Sequence, residues 1–188
     1  MDKTFYETLC DTPVIAAVKD DDGLEEFLKT NINIVFVLYG DLCSIASIVD
    51  KVKEADKIAL VHIDLIDGLS QKEIAVDYIK ENTRAEGIIS TKLSIINRAI
   101  KLKMNTVYRI FVIDSMALTN LKNQERLIKA DLLEILPGPM PQVIKKVTSL
   151  TKIPVIAGGL ITSKKEVIGA LEAGATSIST SNIEVWHL

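Results

Sequence analysis

The sequence predicts an α/β fold, a compact (β/α)8 TIM-type barrel that occupies residues 1–188 as a single domain. Short apolar runs rich in β-branched residues recur about every twenty residues, which is typical of parallel strands buried on both faces. Segments with helical spacing alternate with these runs, and eight such repeats indicate a barrel. The predicted strands are residues 13–18, 34–38, 58–64, 87–90, 106–113, 132–136, 154–157 and 177–180.

Between the runs, apolar residues fall on single helical faces, as with Ile45, Ile48 and Val52. The pattern predicts at least seven helices, and the last, within residues 182–188, ends almost at once. A doubly wound open sheet is the competing fold. Against it, the first predicted strand is not followed by a glycine-rich phosphate turn, because residues 19–23 contain three acids.

The composition is that of an ordinary globular domain. Apolar residues make up 48% and charged residues 25% of the 188, which excludes a disordered chain or a disulfide scaffold. No apolar run approaches the ~18 residues that a transmembrane helix needs. The chain has two cysteines, and its first ten residues lack the apolar core of a secretory signal. We therefore expect a cytoplasmic protein that does not enter the membrane.

Charge is distributed unevenly along the chain. Residues 1–90 carry 9 Lys/Arg and 18 Asp/Glu, net −9, whereas residues 91–152 carry 11 and 4, net +7. Such asymmetry can mark a surface for an anionic partner, and solvated helix faces explain it equally well. No established nucleic-acid motif is present.

A phosphate site is predicted where the last two strands end. Gly158 and Gly159 follow the seventh predicted strand, and Thr180 and Ser181 close the eighth. In these barrels the loops after strands seven and eight commonly bind phosphate, and glycines let backbone N–H groups approach an anion. The alternative is a tight turn followed by a serine N-cap.

The third strand ends with His62 and Asp64, which alternation places on the same side. A hydrogen-bonded core histidine is the favoured interpretation of His62, whereas Asp64, nearer the mouth, is the better candidate for contacting a ligand hydroxyl. A metal site would need three or four ligands, and the sequence does not supply such a set. We predict no metal.

Four further residues follow or interrupt apolar runs. Lys92 can pair with an anion or form a Schiff base. Arg109 and Glu134 would be buried charges, which pair with each other or serve a polar ligand. Ser115, after Asp114, fits either a helix N-cap or a ligand contact.

Several of these segments, taken in order, resemble the glycerol uptake operon antiterminator family (GlpP-like). The resemblance spans nearly the whole chain, and Ile-Ile-Ser-Thr-Lys together with Ala-Gly-Gly-Leu-Ile is its most distinctive part. The segments that carry it are residues 63–69, 87–92, 109–115, 134–138, 154–161 and 174–181.

The resemblance implies a regulator of transcription antitermination in glycerol metabolism that binds glycerol 3-phosphate at the barrel mouth and the operon leader mRNA. It implies no catalytic residue and no cofactor, and a homo-oligomer stays open. By position, the phosphate would be held by Gly158, Gly159, Thr180 and Ser181, and the glycerol part by Asp64, Lys92, Arg109, Ser115 and Glu134. The candidate RNA-binding residues are Lys101, Lys145 and Lys146.

Two other functions remain as alternatives. A barrel enzyme of isomerase or aldolase type could act on a small sugar phosphate, with Lys92 or Asp64 as the catalytic group. A ligand-sensing module could instead bind a protein partner through the acidic residues 1–90.

Overall fold

The computed structural model describes residues 3–188, with side chains from Phe5 onward, so residues 1 and 2 of the predicted domain lie outside it. Eight parallel strands close into one barrel in sequential order, and β8 pairs with β1. The predicted (β/α)8 fold is confirmed. The strands are β1 (Val14–Val18), β2 (Ile34–Val37), β3 (Ile58–His62), β4 (Gly87–Ser90), β5 (Asn105–Phe111), β6 (Leu132–Leu136), β7 (Val155–Gly158) and β8 (Ser177–Thr180).

Helices surround the barrel and also precede its first strand. None of those in the described part of the chain has the length and apolarity needed to cross a membrane. Short 3-10 turns follow β3 and the sixth helix. The helices are α1 (Lys3–Asp11), α2 (Asp21–Lys29), α3 (Ile45–Glu54), α4 (Ile74–Asn82), α5 (Leu93–Lys101), α6 (Ser115–Gln124), α7 (Pro141–Leu150), α8 (Lys164–Glu172) and α9 (Ile183–Trp186).

The bounds of five strands differ from those predicted. The first begins at Val14 instead of residue 13, and the second ends at Val37 instead of residue 38. The third strand was expected to reach residue 64 but ends at His62, because Ile63–Leu65 form a 3-10 turn. The seventh begins at Val155 instead of Pro154, since proline has no N–H to donate to the sheet. The fifth covers Asn105–Phe111 instead of 106–113. Where a strand ends decides which side chains reach the mouth.

Two helices, α1 and α6, are absent from the predicted set. In α6 only Leu121 is buried, so this helix lacks the apolar stripe that reveals the others. The short α1 precedes the first strand and inserts Phe5 and Leu9, spaced i and i+4, into the barrel. Both side chains are almost fully buried.

The barrel interior is an apolar core, and α1 closes its N-terminal end. Phe5 and Leu9 pack against inward-pointing side chains from seven strands. A second, larger core lies between the strands and the surrounding helices. The inward-pointing partners of α1 are Ile15, Ala17, Ile34, Phe36, Leu60, Ile89, Val107, Leu132 and Ile156.

A buried lysine fixes the connection between α2 and β2. Lys57 Nζ donates hydrogen bonds to the carbonyl oxygens of Phe27, Thr30 and Ile32, and lies 4.5 Å from the centre of the Phe27 ring. Burial lowers the pKa of Lys57. Phe27 lies in the last turn of α2, whereas Thr30 and Ile32 belong to the connection, so these bonds tie the end of the helix to the chain that follows it.

We predict that Phe5→Ala lowers the free energy of unfolding by about 3–5 kcal/mol, because it leaves a cavity at the closed end of the barrel. The neighbouring Tyr6 is 41% exposed. Tyr6→Ala is therefore the matched aromatic control, with an expected cost within about 0.5 kcal/mol. Denaturant unfolding of both variants measures the difference, and equal costs would contradict the role assigned to α1.

Candidate functional site

The C-terminal end of the barrel carries a buried polar layer above the apolar core. The side chains of His62, Arg109, Glu134 and Ser179 continue the inward-pointing positions of β3, β5, β6 and β8. All four are at most 7% exposed. We call these four residues the polar floor. Since functional residues of such barrels lie at the carboxyl ends of the strands, this layer is the candidate site.

An ion pair forms the centre of the polar floor. Arg109 and Glu134 are direct neighbours in the register of β5 and β6, and Arg109 Nε donates to Glu134 Oε2 at 2.5 Å. Ser179 Oγ donates to the other carboxylate oxygen, Oε1. Within residues 3–188, Nε is the one Arg109 nitrogen with a hydrogen-bond partner. The two terminal nitrogens of the guanidinium group can therefore donate to a ligand.

Gly158 is required by this ion pair. A Cβ atom at residue 158 would lie 2.5 Å from Glu134 Oε1 and 2.6 Å from Ser179 Oγ. The next two residues, Gly159 and Leu160, have left-handed φ angles of 71° and 60°, and they turn the chain sharply at the mouth. Gly158 thus makes room for the carboxylate, while Gly159 allows the turn.

Thr180 and Ser181, predicted together as phosphate ligands, have different environments. Thr180 is buried, and its hydroxyl donates to the Ile161 carbonyl at 2.6 Å and accepts from Asn182 N at 3.0 Å. The Thr180 carbonyl accepts a hydrogen bond from Trp186 Nε1. Thr180 therefore holds the loops after β7 and β8 together, whereas Ser181 is exposed at the rim.

Asp64 joins the loop after β3 to the end of β4. Its carboxylate accepts hydrogen bonds from Ser90 Oγ, from the Thr91 backbone N–H at 2.7 Å and from the Thr91 hydroxyl. Asp64 is half-buried. These hydrogen bonds fix the loop after β3 against the end of β4 at the mouth of the barrel.

Lys92 and Ser115 lie in the loops beyond the polar floor. Lys92 Nζ bonds to Gln71 Oε1 in the loop before α4. Ser115 is exposed and is the first residue of α6, and the carboxylate of Asp114 caps this helix by accepting from the N–H groups of Met116 and Ala117. The N-cap that the sequence pattern allowed is thus made by Asp114.

His62 is a buried histidine with an unsatisfied nitrogen. It is 3% exposed, and its Nδ1 finds no hydrogen-bond partner in the described part of the chain. Burial, and secondarily the positive charge of Arg109, lowers the pKa of His62 to about 4. The ring is therefore neutral near pH 7 and offers one donor and one acceptor.

Two residues of the mouth were missed by sequence reasoning. Ser179 completes the polar floor, and the outward-facing Ile178 beside it is the signal that could have revealed its direction. Lys19 follows the inward positions Ile15 and Ala17 of β1 and lines a cavity of about 260 Å³ together with Ser181. Among the described residues Lys19 makes no hydrogen bond or ion pair, and the acidic residues Asp20, Asp22 and Glu26 line the same cavity.

The candidate RNA-binding lysines are exposed but do not form one cluster. Lys101 is the last residue of α5, and Lys145 and Lys146 lie in the middle of α7. The intervening helix α6 separates them around the barrel.

Comparison with known proteins assigns the family. Residues 14–186 match the family model described as glycerol-3-phosphate responsive antiterminator. The chain belongs to this antiterminator family. Its members are regulators, so the family supports a regulatory protein over an enzyme. The uncharacterized protein YgcP of Escherichia coli (strain K12) is 41% identical over 176 residues, which are 94% of this chain and 92% of that protein.

Two solved structures with antiterminator names are similar to this chain in both sequence and fold. The glycerol uptake operon antiterminator regulatory protein of Listeria monocytogenes is 31% identical, with a TM-score of 0.89 over 93% of this chain and 94% of that one. An antiterminator-related protein of Thermotoga maritima is 30% identical, with a TM-score of 0.82 over 94% and 99% of the two chains. Deoxyribose phosphate aldolase from Aeropyrum pernix, at 15% identity and TM-score 0.71, shares the fold alone.

We predict that acid destabilises the protein through His62. The unfolded chain binds a proton at this histidine below pH ~6.5, whereas the folded protein binds it only near pH 4. Stability is therefore lost as the pH falls through this window. Between pH 7 and pH 5 the free energy of unfolding should fall about 2 kcal/mol more in the wild type than in His62→Gln.

Denaturant unfolding at the two pH values makes this measurement. The exposed His187 provides the control, since His187→Gln should keep the wild-type pH dependence. Superimposable pH profiles of the wild type and His62→Gln would refute the prediction.

Proposed function

We propose that this chain binds glycerol 3-phosphate at the barrel mouth and the leader mRNA of a glycerol operon, and that it regulates transcription antitermination. The family assignment supports the regulatory function. The observation that carries the ligand proposal is the Arg109 guanidinium, whose terminal nitrogens have no partner within residues 3–188 and whose ion-pair partner Glu134 lies against Gly158. A small anion with hydroxyl groups fits this arrangement of donors and acceptors.

The phosphate group is proposed to bind at the ends of β7 and β8. Gly159 contributes its backbone N–H at the left-handed turn, and Ser181 contributes an exposed hydroxyl. Lys19 lies beside Ser181 in a cavity that Asp20, Asp22 and Glu26 also line, and it provides the positive charge there. Gly158 acts by making room for Glu134, and Thr180 by fixing the two loops.

The glycerol part is proposed to lie over the polar floor. Arg109 donates to a hydroxyl oxygen through its terminal nitrogens, and Glu134 holds the guanidinium group in position from below. Asp64 and Lys92 shape the opposite side through their loop contacts, and Ser115 lies at the edge of the mouth. Buried donors that only the ligand can pair select for hydroxyl groups, because a ligand lacking hydroxyls leaves these donors unpaired.

RNA is proposed to bind the outer wall of the barrel. The net charge of the whole chain is −3, so affinity for a polyanion must come from a local surface. Residues 91–152 supply it with a net charge of +7. Lys101, Lys145 and Lys146 are its exposed candidates.

We predict that glycerol 3-phosphate raises the melting temperature of the protein, whereas glycerol and inorganic phosphate have much smaller effects. At 100 times its dissociation constant, the ligand should stabilise the fold by about 2.7 kcal/mol. Ser181→Asp should abolish this shift, because its carboxylate repels the phosphate. Ser149→Asp adds the same charge at an exposed serine near the end of α7 and should keep the shift. A wild type that responds to none of the three compounds would remove the ligand proposal.

For RNA, we predict that reversing the charge of Lys101, Lys145 and Lys146 together abolishes binding of the leader RNA and leaves the thermal response to glycerol 3-phosphate intact. Affinity and its salt dependence, measured by filter binding, should both decline, because phosphate contacts release counterions. Retained affinity would place the RNA surface elsewhere. The charge-matched control reverses three exposed lysines of the acidic half, Lys51, Lys72 and Lys80.

A further inference from the structure

One side of the barrel mouth exposes large apolar side chains. Ile113 is 87% exposed, Leu160 73%, Met116 67% and Phe111 53%. These four residues lie at the end of β5 or in the segments that follow β5 and β7. The end of β6, which lies between these two strands in the barrel, adds the partly exposed residues Leu136 and Pro137. We call this surface the rim patch; it consists of Phe111, Ile113, Met116, Leu136, Pro137 and Leu160.

The rim patch is continuous across three strands. Phe111 and Leu136 are register partners, and the Val112 N–H donates to the Leu136 carbonyl at 2.8 Å. The Leu136 side chain lies against Gly159, where an added Cβ would be 3.1 Å from it. Gly159 precedes Leu160, so the apolar surface runs from the end of β5 to the loop after β7.

The rest of the mouth has a different chemistry. The loops after β1, β2 and β3 are acidic, and the rim patch contains no charged side chain. A phosphorylated ligand needs donors and cations, and RNA needs cations along its phosphates. Neither explains six neighbouring apolar residues in contact with water. The largest apolar patch of a soluble protein is often functional, and contact with another protein is one of the functions it serves.

We propose that the rim patch is the contact surface of a homodimer with two-fold symmetry. Taking an accessible area of roughly 200 Å² for a large apolar side chain, the four most exposed residues present about 560 Å². Leu136 and Pro137 are only partly exposed, so polar residues around the patch would supply the rest of the ~800 Å² that each partner buries in a standard interface. The inference does not depend on the ligand or RNA proposals.

Charges at the two ends of the rim patch favour a second copy of this chain as the partner. Asp114 lies at the β5 end, and its Oδ1 caps α6 while Oδ2 has no partner in the described residues. Lys164 and Lys165 lie at the β7 end, are exposed, and make no hydrogen bond or ion pair within residues 3–188. A two-fold axis through the patch brings the acidic end of each copy to the basic end of the other.

Sedimentation velocity from micromolar to submillimolar chain concentration tests the proposal. The wild type should change from monomer to dimer over this range. Ile113→Asp should weaken association by at least about 30-fold, because it buries an unpaired charge within an apolar contact. Ile113 is too exposed for this change to unfold the protein, and its melting temperature checks that. Ile74→Asp, at a 64% exposed isoleucine in α4, should leave association unchanged.

A second set of variants tests the orientation. Lys164→Glu with Lys165→Glu should weaken the dimer by at most about fivefold, because the contacts are exposed. Adding Asp114→Asn, which keeps the helix cap, should remove much of this loss. A wild type that stays monomeric throughout, or an Ile113→Asp variant that dimerises like it, would overturn the proposal. So would an Ile113→Asp variant that loses RNA affinity without a change in mass, since the patch would then face RNA.

Discussion

Burial of the Glu134 carboxylate inside the barrel is the constraint on which the mouth depends. This side chain is fully buried, so both of its oxygens need partners, and Arg109 and Ser179 supply them from strands on either side. Removing one partner of a buried ion pair typically costs about 3–5 kcal/mol. The same carboxylate occupies the space where a side chain at residue 158 would lie, which leaves only glycine there. One buried charge thereby fixes residues on β5, β6, β7 and β8.

The two ends of the barrel are filled by different kinds of side chain. At the N-terminal end, Phe5 and Leu9 of α1 add apolar volume and extend the core. At the C-terminal end, polar side chains replace that core, and each needs a hydrogen-bond partner from the protein or from a ligand. Among the described residues of this end, His62 Nδ1 and the terminal nitrogens of Arg109 have no hydrogen-bond partner in the protein and remain available to a ligand.

Periodicity alone predicts the eight strands, because each strand is buried on both faces and reads as a continuous apolar run. It does not predict α6, which buries only Leu121, nor α1, which precedes the first strand and so lies outside the strand–helix alternation. The sequence does not show as clearly which side chains of a strand point into the barrel. In β8, only the packing of Ile178 against the outer helices reveals that Ser179 points inward and Thr180 outward. From the sequence, the buried charges of Arg109 and Glu134 could either pair with each other or serve a polar ligand. The register of β5 and β6 makes them direct neighbours, and they form an ion pair.

The proposed ligand site and the rim patch share a boundary at the turn after β7. Gly159 belongs to the phosphate site and Leu160 to the patch, and both adopt left-handed conformations. A ligand that fixes this turn would also fix the position of Leu160. If dimerisation uses the patch, the two equilibria are then linked, and by thermodynamic reciprocity each favours the other by the same free energy. Two adjacent residues of one loop are sufficient for this coupling, because the rest of the mouth is held by the buried ion pair and by the hydrogen bonds of Thr180.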